Sequence, residues 1–176
     1  MLIEKEKSQL IIIDVQEKLV SVMPKPHIFI DNIIKLQKAA NILKIPMLIS
    51  EQYPKGLGKS IGKIKENMGT NKTIIEKTDF LLPIETSSSL KHLIICGIES
   101  HVCVLQTAIN LVENNETKIY IVQDAISSRF KKDYLTALSR LNKYPNIYIV
   151  SYEMVLFEWL RKSDTKEFKT ISQLIK

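Results

Sequence analysis

The chain is predicted to fold as an α/β protein, a Rossmann-like, three-layer, doubly wound sheet of six parallel strands. Three observations carry that expectation. Short apolar runs alternate with segments of helical periodicity along the whole chain. The runs are apolar at successive positions, as strands buried on both faces of a parallel sheet must be. Right-handed crossovers then leave few topologies, of which the doubly wound one leads.

Each element has its own local reason. Gln9–Val15 is a continuous apolar run between polar residues and reads as the first strand. Ile28–Leu43 places Ile33, Leu36, Ala40 and Leu43 on one helical face. The break at Lys44-Ile45-Pro46 introduces a second strand, Pro46–Ser50. Tyr53–Gly69 is rich in glycine and lysine and reads as a loop with a modest helix. Thr73–Glu76 is a short third strand, and Lys91–Cys96 a fourth, followed by a helix over Val102–Glu113. Lys118–Val122 is the fifth strand, Lys131–Leu141 a helix and Asn146–Val150 the sixth strand. Helices over Tyr152–Arg161 and Thr165–Ile175 close the chain, with Phe157, Trp159 and Leu160 as their docking face. No linker, repeat or low-complexity segment interrupts this pattern, so one domain over residues 1–176 accounts for it.

Composition narrows the function classes. Hydrophobic residues make up 45% of the 176 positions, ordinary for a soluble globule, and no apolar run reaches membrane-span length. Met1–Gln9 is charged and polar, unlike a secretory signal, so the expected compartment is the cytoplasm. The two cysteines, Cys96 and Cys103, form no disulfide framework and fit free thiols in a reducing environment. The net charge of +6 raises a nucleic-acid partner. The lysines are scattered, however, and no aromatic residues interleave with the densest group. Lys55, Lys59 and Lys63, at helical spacing, are expected to form one solvated helix face.

In doubly wound sheets, ligands bind beyond the carboxyl ends of the strands, where the winding reverses. Three of those ends carry chemistry. Asp14 follows the first strand, Lys77 the third, and Gly97-Ile98-Glu99-Ser100-His101-Val102-Cys103 the fourth. Cys103 falls in the first turn of a predicted helix, where unpaired N–H groups and the helix dipole lower a thiol pKa. Cys96, inside an apolar strand, reads as a small buried hydrophobe. Asp14 fits a general base toward Cys103, and Lys77 a cation holding both in their charged forms. The Cys103 N–H, with another from the turn before it, fits an oxyanion hole. Gln16, Glu51, Gln52 and Tyr53 are expected at a substrate mouth, with Phe80 from the segment after Lys77; a subunit contact is an equal reading for Tyr53. His101 lies two residues from Cys103, too close in sequence to face it on a helix, and reads as a rim or interface residue. Asp124 and Arg129 read as a structural polar link.

These residues resemble the isochorismatase-like cysteine hydrolases. The matching segments are Ile11-Ile12-Ile13-Asp14-Val15-Gln16, Glu76-Lys77-Thr78 and Gly97 to Val104. The resemblance is closest to the isochorismatase domain-containing subgroup, through Ser50 to Gly58, Asp124-Ala125, Ser127-Ser128-Arg129 and Phe168 to Lys176. It implies a triad of Asp14, Lys77 and Cys103, and a cis peptide at Ile98–Glu99. It also implies an oxyanion hole from the N–H groups of Glu99 and Cys103, and assembly into homo-oligomers. Two departures stand out. Nicotinamidases of this group hold a metal through histidines after the second strand, whereas Glu51–Gly69 here contains none, so no metal or other cofactor is expected. The segment after the lysine, Asp79-Phe80-Leu81, also departs from the usual small residue followed by Phe-Ser, and can reshape or block the pocket.

The expected function is metal-independent hydrolysis of a small amide-like substrate through a covalent Cys103 intermediate, with no nucleic-acid or membrane partner. Two rivals remain. One is vinyl-ether hydrolysis of the isochorismatase type, which needs no cysteine. The other is a non-enzymatic interaction or redox-sensing role, with Cys103 near the free-cysteine pKa.

Overall fold

The computed structural model describes residues 2–84, 89–114 and 117–175; Lys176, the end of the matched C-terminal segment, lies outside them. Among these residues the strands are β1 Ser8–Ile13, β2 Met47–Gln52, β3 Lys72–Lys77, β4 His92–Ile98, β5 Lys118–Ser127 and β6 Ile147–Val150. The helices are α1 Glu17–Val20, α2 Pro26–Leu43, α3 Pro54–Leu57, α4 Gly62–Glu66, α5 Leu105–Asn114, α6 Lys131–Leu141, α7 Tyr152–Leu160 and α8 Lys166–Ile171. The six strands form one parallel sheet in the order β3-β2-β1-β4-β5-β6. Winding runs outward from β1 on one side and from β4 on the other. The switch point therefore lies between β1 and β4.

Alternation along the strands builds the two cores. Leu10 and Ile12 of β1 join Ile94 and Cys96 of β4 against α2, α7 and α8, through Ile33, Leu36, Leu156 and Trp159. Ile11 and Ile13 join Ile95 and Ile121 on the opposite face, against Ala108 and Leu111 of α5 and Leu141 of α6. Cys96 is thus a buried core residue, as expected of it. Trp159 and Leu160 are buried, and the Trp159 indole N–H donates to Ser8 Oγ at 3.0 Å. Phe157 is half exposed and meets the ring of Phe168 across the α7–α8 contact.

The structure departs from the sequence pattern in three places. β5 continues to Ser127, well past Val122. Ile95 pairs with Ile121 but Gly97 with Ile126, so β5 bulges between these pairs. The polar Gln123 and Asp124 fall in that bulge, where periodicity reads a strand end, before Ala125 to Ser127 are buried again. Next, the segment before α5 opens with a wide π-type turn, Ser100–Val104, that contains Cys103. Finally, Lys55 and Lys63 lie on the separate short helices α3 and α4, with Lys59 between them, so no single helix carries all three.

Gly97 marks the closest approach at the switch point. Its φ is +116°, and a Cβ there would lie 2.1 Å from the Ile13 carbonyl oxygen and 2.6 Å from the Ile13 nitrogen. Only glycine suits both the conformation and the space.

Candidate active site

Parallel pairing delivers the polar residues to one edge of the sheet. Ile13 is in register with Ser50 and Gly97, and Gln52 with Lys77. Asp14 follows directly with a φ of +52°, a left-handed turn that Asp tolerates better than most side chains. The Gln16 N–H closes this turn on the Asp14 carbonyl at 2.8 Å.

Both Asp14 carboxylate oxygens are engaged. Ser50 Oγ donates to Oδ1 at 2.6 Å, and Lys77 Nζ donates to Oδ2 at 2.8 Å. The pair is dry, with side chains 0% and 2% exposed for Asp14 and Lys77. Lys77 Nζ also donates to Gln52 Oε1 at 2.6 Å and approaches the carbonyls of Asp79 and Phe80 at 3.3 and 3.4 Å. A buried ammonium is tolerated only with this density of acceptors.

The Cys103 thiol completes the cluster, buried, with Asp14 and Lys77 near enough to act on its charge. Burial pushes this thiol up to about 12; the Asp14 carboxylate raises it further, and the Lys77 ammonium opposes the rise. The expected lowering by a helix N-terminus is therefore overturned. Cys103 sits inside the wide turn, out of water, beside a carboxylate that disfavours a second negative charge. The thiol thus sits beside the hydrogen-bonded Asp14–Lys77 pair. The peptide between Ile98 and Glu99 is cis, as the resemblance implies.

The residues placed at a substrate mouth separate into two groups. Gln16, Glu51 and Gln52 are buried and tie loops together. Gln16 Nε2 donates to the carbonyls of Gln52 and Gly58, and Gln16 Oε1 accepts from the Gln52 N–H. Glu51 accepts from the Ser60 N–H at 2.7 Å. Gln52 bridges Lys77 and the Thr78 carbonyl. Tyr53 and Phe80 are instead exposed, at 53% and 55%. Tyr53 lines a cavity of about 480 Å³ with Pro54, Glu76, Lys77, Thr78 and Asp79. Phe80 lies outside that lining, and Leu81 lines a different cavity, beside Leu105 and Ile109 of α5.

His101 turns toward β5, with Nδ1 3.0 Å from Ser128 Oγ. Asp124 and Arg129 are polar links, but not with each other. Asp124 accepts from the Tyr152 N–H at 2.8 Å, whereas Arg129 pairs with Glu99 at 3.1 Å. Ser50 is the partner that sequence reasoning missed. Its signal was a hydroxyl directly after the apolar run of β2, and its role follows only from the β1–β2 register.

Among the described residues, no three His, Cys, Asp or Glu side chains gather as a metal site. Glu51, within β2, accepts the Ser60 N–H through Oε1.

A doubly wound α/β sheet with a carboxylate, an ammonium and a thiol at its switch point defines a class of hydrolase folds. The family model described as Isochorismatase domain matches residues 8–151, and the chain belongs to the isochorismatase family. It is 36% identical to isochorismatase domain-containing protein 2 of Danio rerio, over 96% of this chain and 86% of that one. A structure named MAR1 ribonuclease, from Caenorhabditis elegans, superposes with a TM-score of 0.94 at 34% identity, covering 99% of this chain and 92% of the other. YcaC of Escherichia coli, described as an octameric hydrolase of unknown specificity, shares the fold at a TM-score of 0.83 and 19% identity, covering 98% and 90%.

Proposed function

We propose that the chain is a metal-independent cysteine hydrolase of small amide-like substrates, with Cys103 as nucleophile, Asp14 as general base and acid, and Lys77 as the cation that holds Asp14. The observation that carries this reading is the buried Asp14 carboxylate, in contact with Lys77 on one side and the Cys103 thiol on the other. A neutral thiol needs its proton removed as it attacks, and Asp14 is placed to receive it. Sγ then bonds to the substrate carbonyl carbon, and the carbonyl π pair moves to oxygen. The N–H groups of Glu99 and Cys103 hold that oxyanion. Its collapse expels the amine, which takes the proton from Asp14 and leaves a thioester on Cys103. Water attacks the thioester, Asp14 again accepts a proton, and the acid departs as the thiol is re-formed.

The open cavity beside Lys77, with Tyr53 and Asp79 in its wall, supports access for a small polar molecule. Exposed Phe80 and Phe130, at 55% and 59%, support assembly into a homo-oligomer, the state described for YcaC. The test is turnover of a panel of small amides and ureides by wild type and Cys103→Ser, with isochorismate and a short RNA as further arms. Turnover of an amide or ureide by wild type alone supports the reading. Equal turnover by both proteins overturns the covalent mechanism, and exclusive activity on isochorismate or RNA overturns the substrate class.

A further inference from the structure

The end of β5 is stitched, residue for residue, to the segment that leads into Cys103. Ser100 Oγ donates to the Ser127 carbonyl at 2.8 Å. His101 Nδ1 lies 3.0 Å from Ser128 Oγ. Arg129 Nε lies 3.1 and 3.3 Å from the two Glu99 carboxylate oxygens, and the Arg129 N–H donates to Glu99 Oε2 at 3.4 Å. Three consecutive residues of β4's continuation are thus held by three consecutive residues at and just beyond the end of β5.

The third stitch differs from the others because it carries charge beside the proposed oxyanion site. The Glu99 side chain is only 9% exposed. A buried carboxylate on the residue whose N–H is to bind an oxyanion repels the charge that develops there. A carboxylate this buried also needs a partner to balance its charge. Arg129 meets both needs. Its guanidinium contacts both carboxylate oxygens, which fixes the direction of the Glu99 side chain as well as balancing its charge. His101, with Nδ1 3.7 Å from Glu99 Oε2, is the other cationic candidate facing this carboxylate.

We propose that Arg129 is a positioning residue that acts through Glu99, aligning the Glu99 N–H for the oxyanion and neutralising the carboxylate beside it. This rests on the reading of Cys103 as nucleophile. Arg129 itself touches no reacting atom.

A test independent of the substrate uses two reagents at Cys103. A small aliphatic aldehyde adds reversibly: Sγ bonds to the carbonyl carbon, the π pair moves to oxygen, and the thiol proton passes to Asp14. The product needs the oxyanion hole. Iodoacetamide alkylates by displacing iodide from a saturated carbon and builds no oxyanion. The measurement is aldehyde protection of Cys103 against iodoacetamide, followed by peptide mass, in wild type, Arg129→Gln, Arg129→Lys and the double variant Arg129→Gln, Glu99→Gln. Arg129→Gln is expected to keep the iodoacetamide rate of wild type while aldehyde affinity falls about tenfold to a hundredfold, the scale of impairing one oxyanion donor. Removing the Glu99 charge in the double variant is expected to recover part of that loss. If Arg129→Gln does not fold, Arg129→Lys, which keeps the charge but loses the planar fork, is expected to show a smaller loss of the same kind. Wild-type aldehyde affinity in the variants overturns the inference, as does a parallel loss of both reactivities. Absence of aldehyde protection in wild type overturns the nucleophile reading itself, and the inference with it.

Discussion

Burial and the Asp14 carboxylate together hold the Cys103 proton at neutral pH, and this sets the chemistry expected of single residues. With the thiol pushed up to about 12, the thiolate fraction grows about tenfold per pH unit through the neutral range. Alkylation of Cys103 by iodoacetamide should therefore climb steadily from pH 6 to pH 10. A plateau below pH 8 would show a lowered pKa and contradict this account. Gln52 makes a second prediction at the same scale. Its Oε1 lies 2.6 Å from Lys77 Nζ, so Gln52→Leu removes an acceptor from a buried ammonium. The expected cost is about 1–3 kcal/mol of stability, read from urea midpoints, with lower turnover and little change in KM. An unchanged midpoint would show that Gln52 does not support Lys77. Asp14, Lys77 and Cys103 were singled out in the sequence by position: Asp14 and Lys77 follow predicted strands, and Cys103 opens the helix predicted after the fourth. Ser50, Gln52 and Arg129 were not legible in these roles. A partner is defined by register, and no local pattern announces which hydroxyl, amide or guanidinium will face a charged group from the neighbouring strand.

At the scale of elements, the site depends on how closely β1 and β4 approach. Gly97 permits that approach, because a Cβ would fall 2.1 Å from the Ile13 carbonyl oxygen. Gly97→Ala should cost more than about 3 kcal/mol, combining strain at positive φ with a backbone clash. Urea denaturation of the variant checks this, and a loss below about 1 kcal/mol would mean that the sheet opens there at little cost. The alternating order of strands and helices was readable because parallel strands buried on both faces give unbroken apolar runs. The far half of β5 was not. Its bulge places two polar residues, exposed Gln123 and half-buried Asp124, in mid-strand, which periodicity can only read as an end. The wide turn around Cys103 was hidden for a related reason, since a local change in helical winding leaves the apolar spacing of α5 intact.

The whole molecule stores several acidic protons in its interior, and this gives a sign to its pH dependence. Burial pushes the Cys103 thiol of the folded chain up to about 12, against about 8.5 for an unfolded cysteine. Cys96, fully buried, is shifted upward as well. Above pH 8.5 the unfolded chain releases thiol protons that the folded chain retains. Stability is thus fully present below that pH and declines as pH rises, by about 1.4 kcal/mol per unit for each such thiol. Urea midpoints between pH 7.5 and pH 10 should fall, and the slope should be shallower in Cys96→Ala. A flat profile would contradict the burial of both thiols. Among the described residues no helix is long and apolar enough to cross a membrane.

Peptide-resolved mass spectrometry of the protein quenched during turnover tests the central claim most directly. With any amide or ureide that the protein is found to hydrolyse, an acyl group should appear on the peptide containing Cys103 and on no other. Asp14→Asn, which can neither accept nor return the proton, should form that adduct far more slowly. Hydrolysis that proceeds at the wild-type rate in Cys103→Ala, with no adduct on any peptide, would contradict the account.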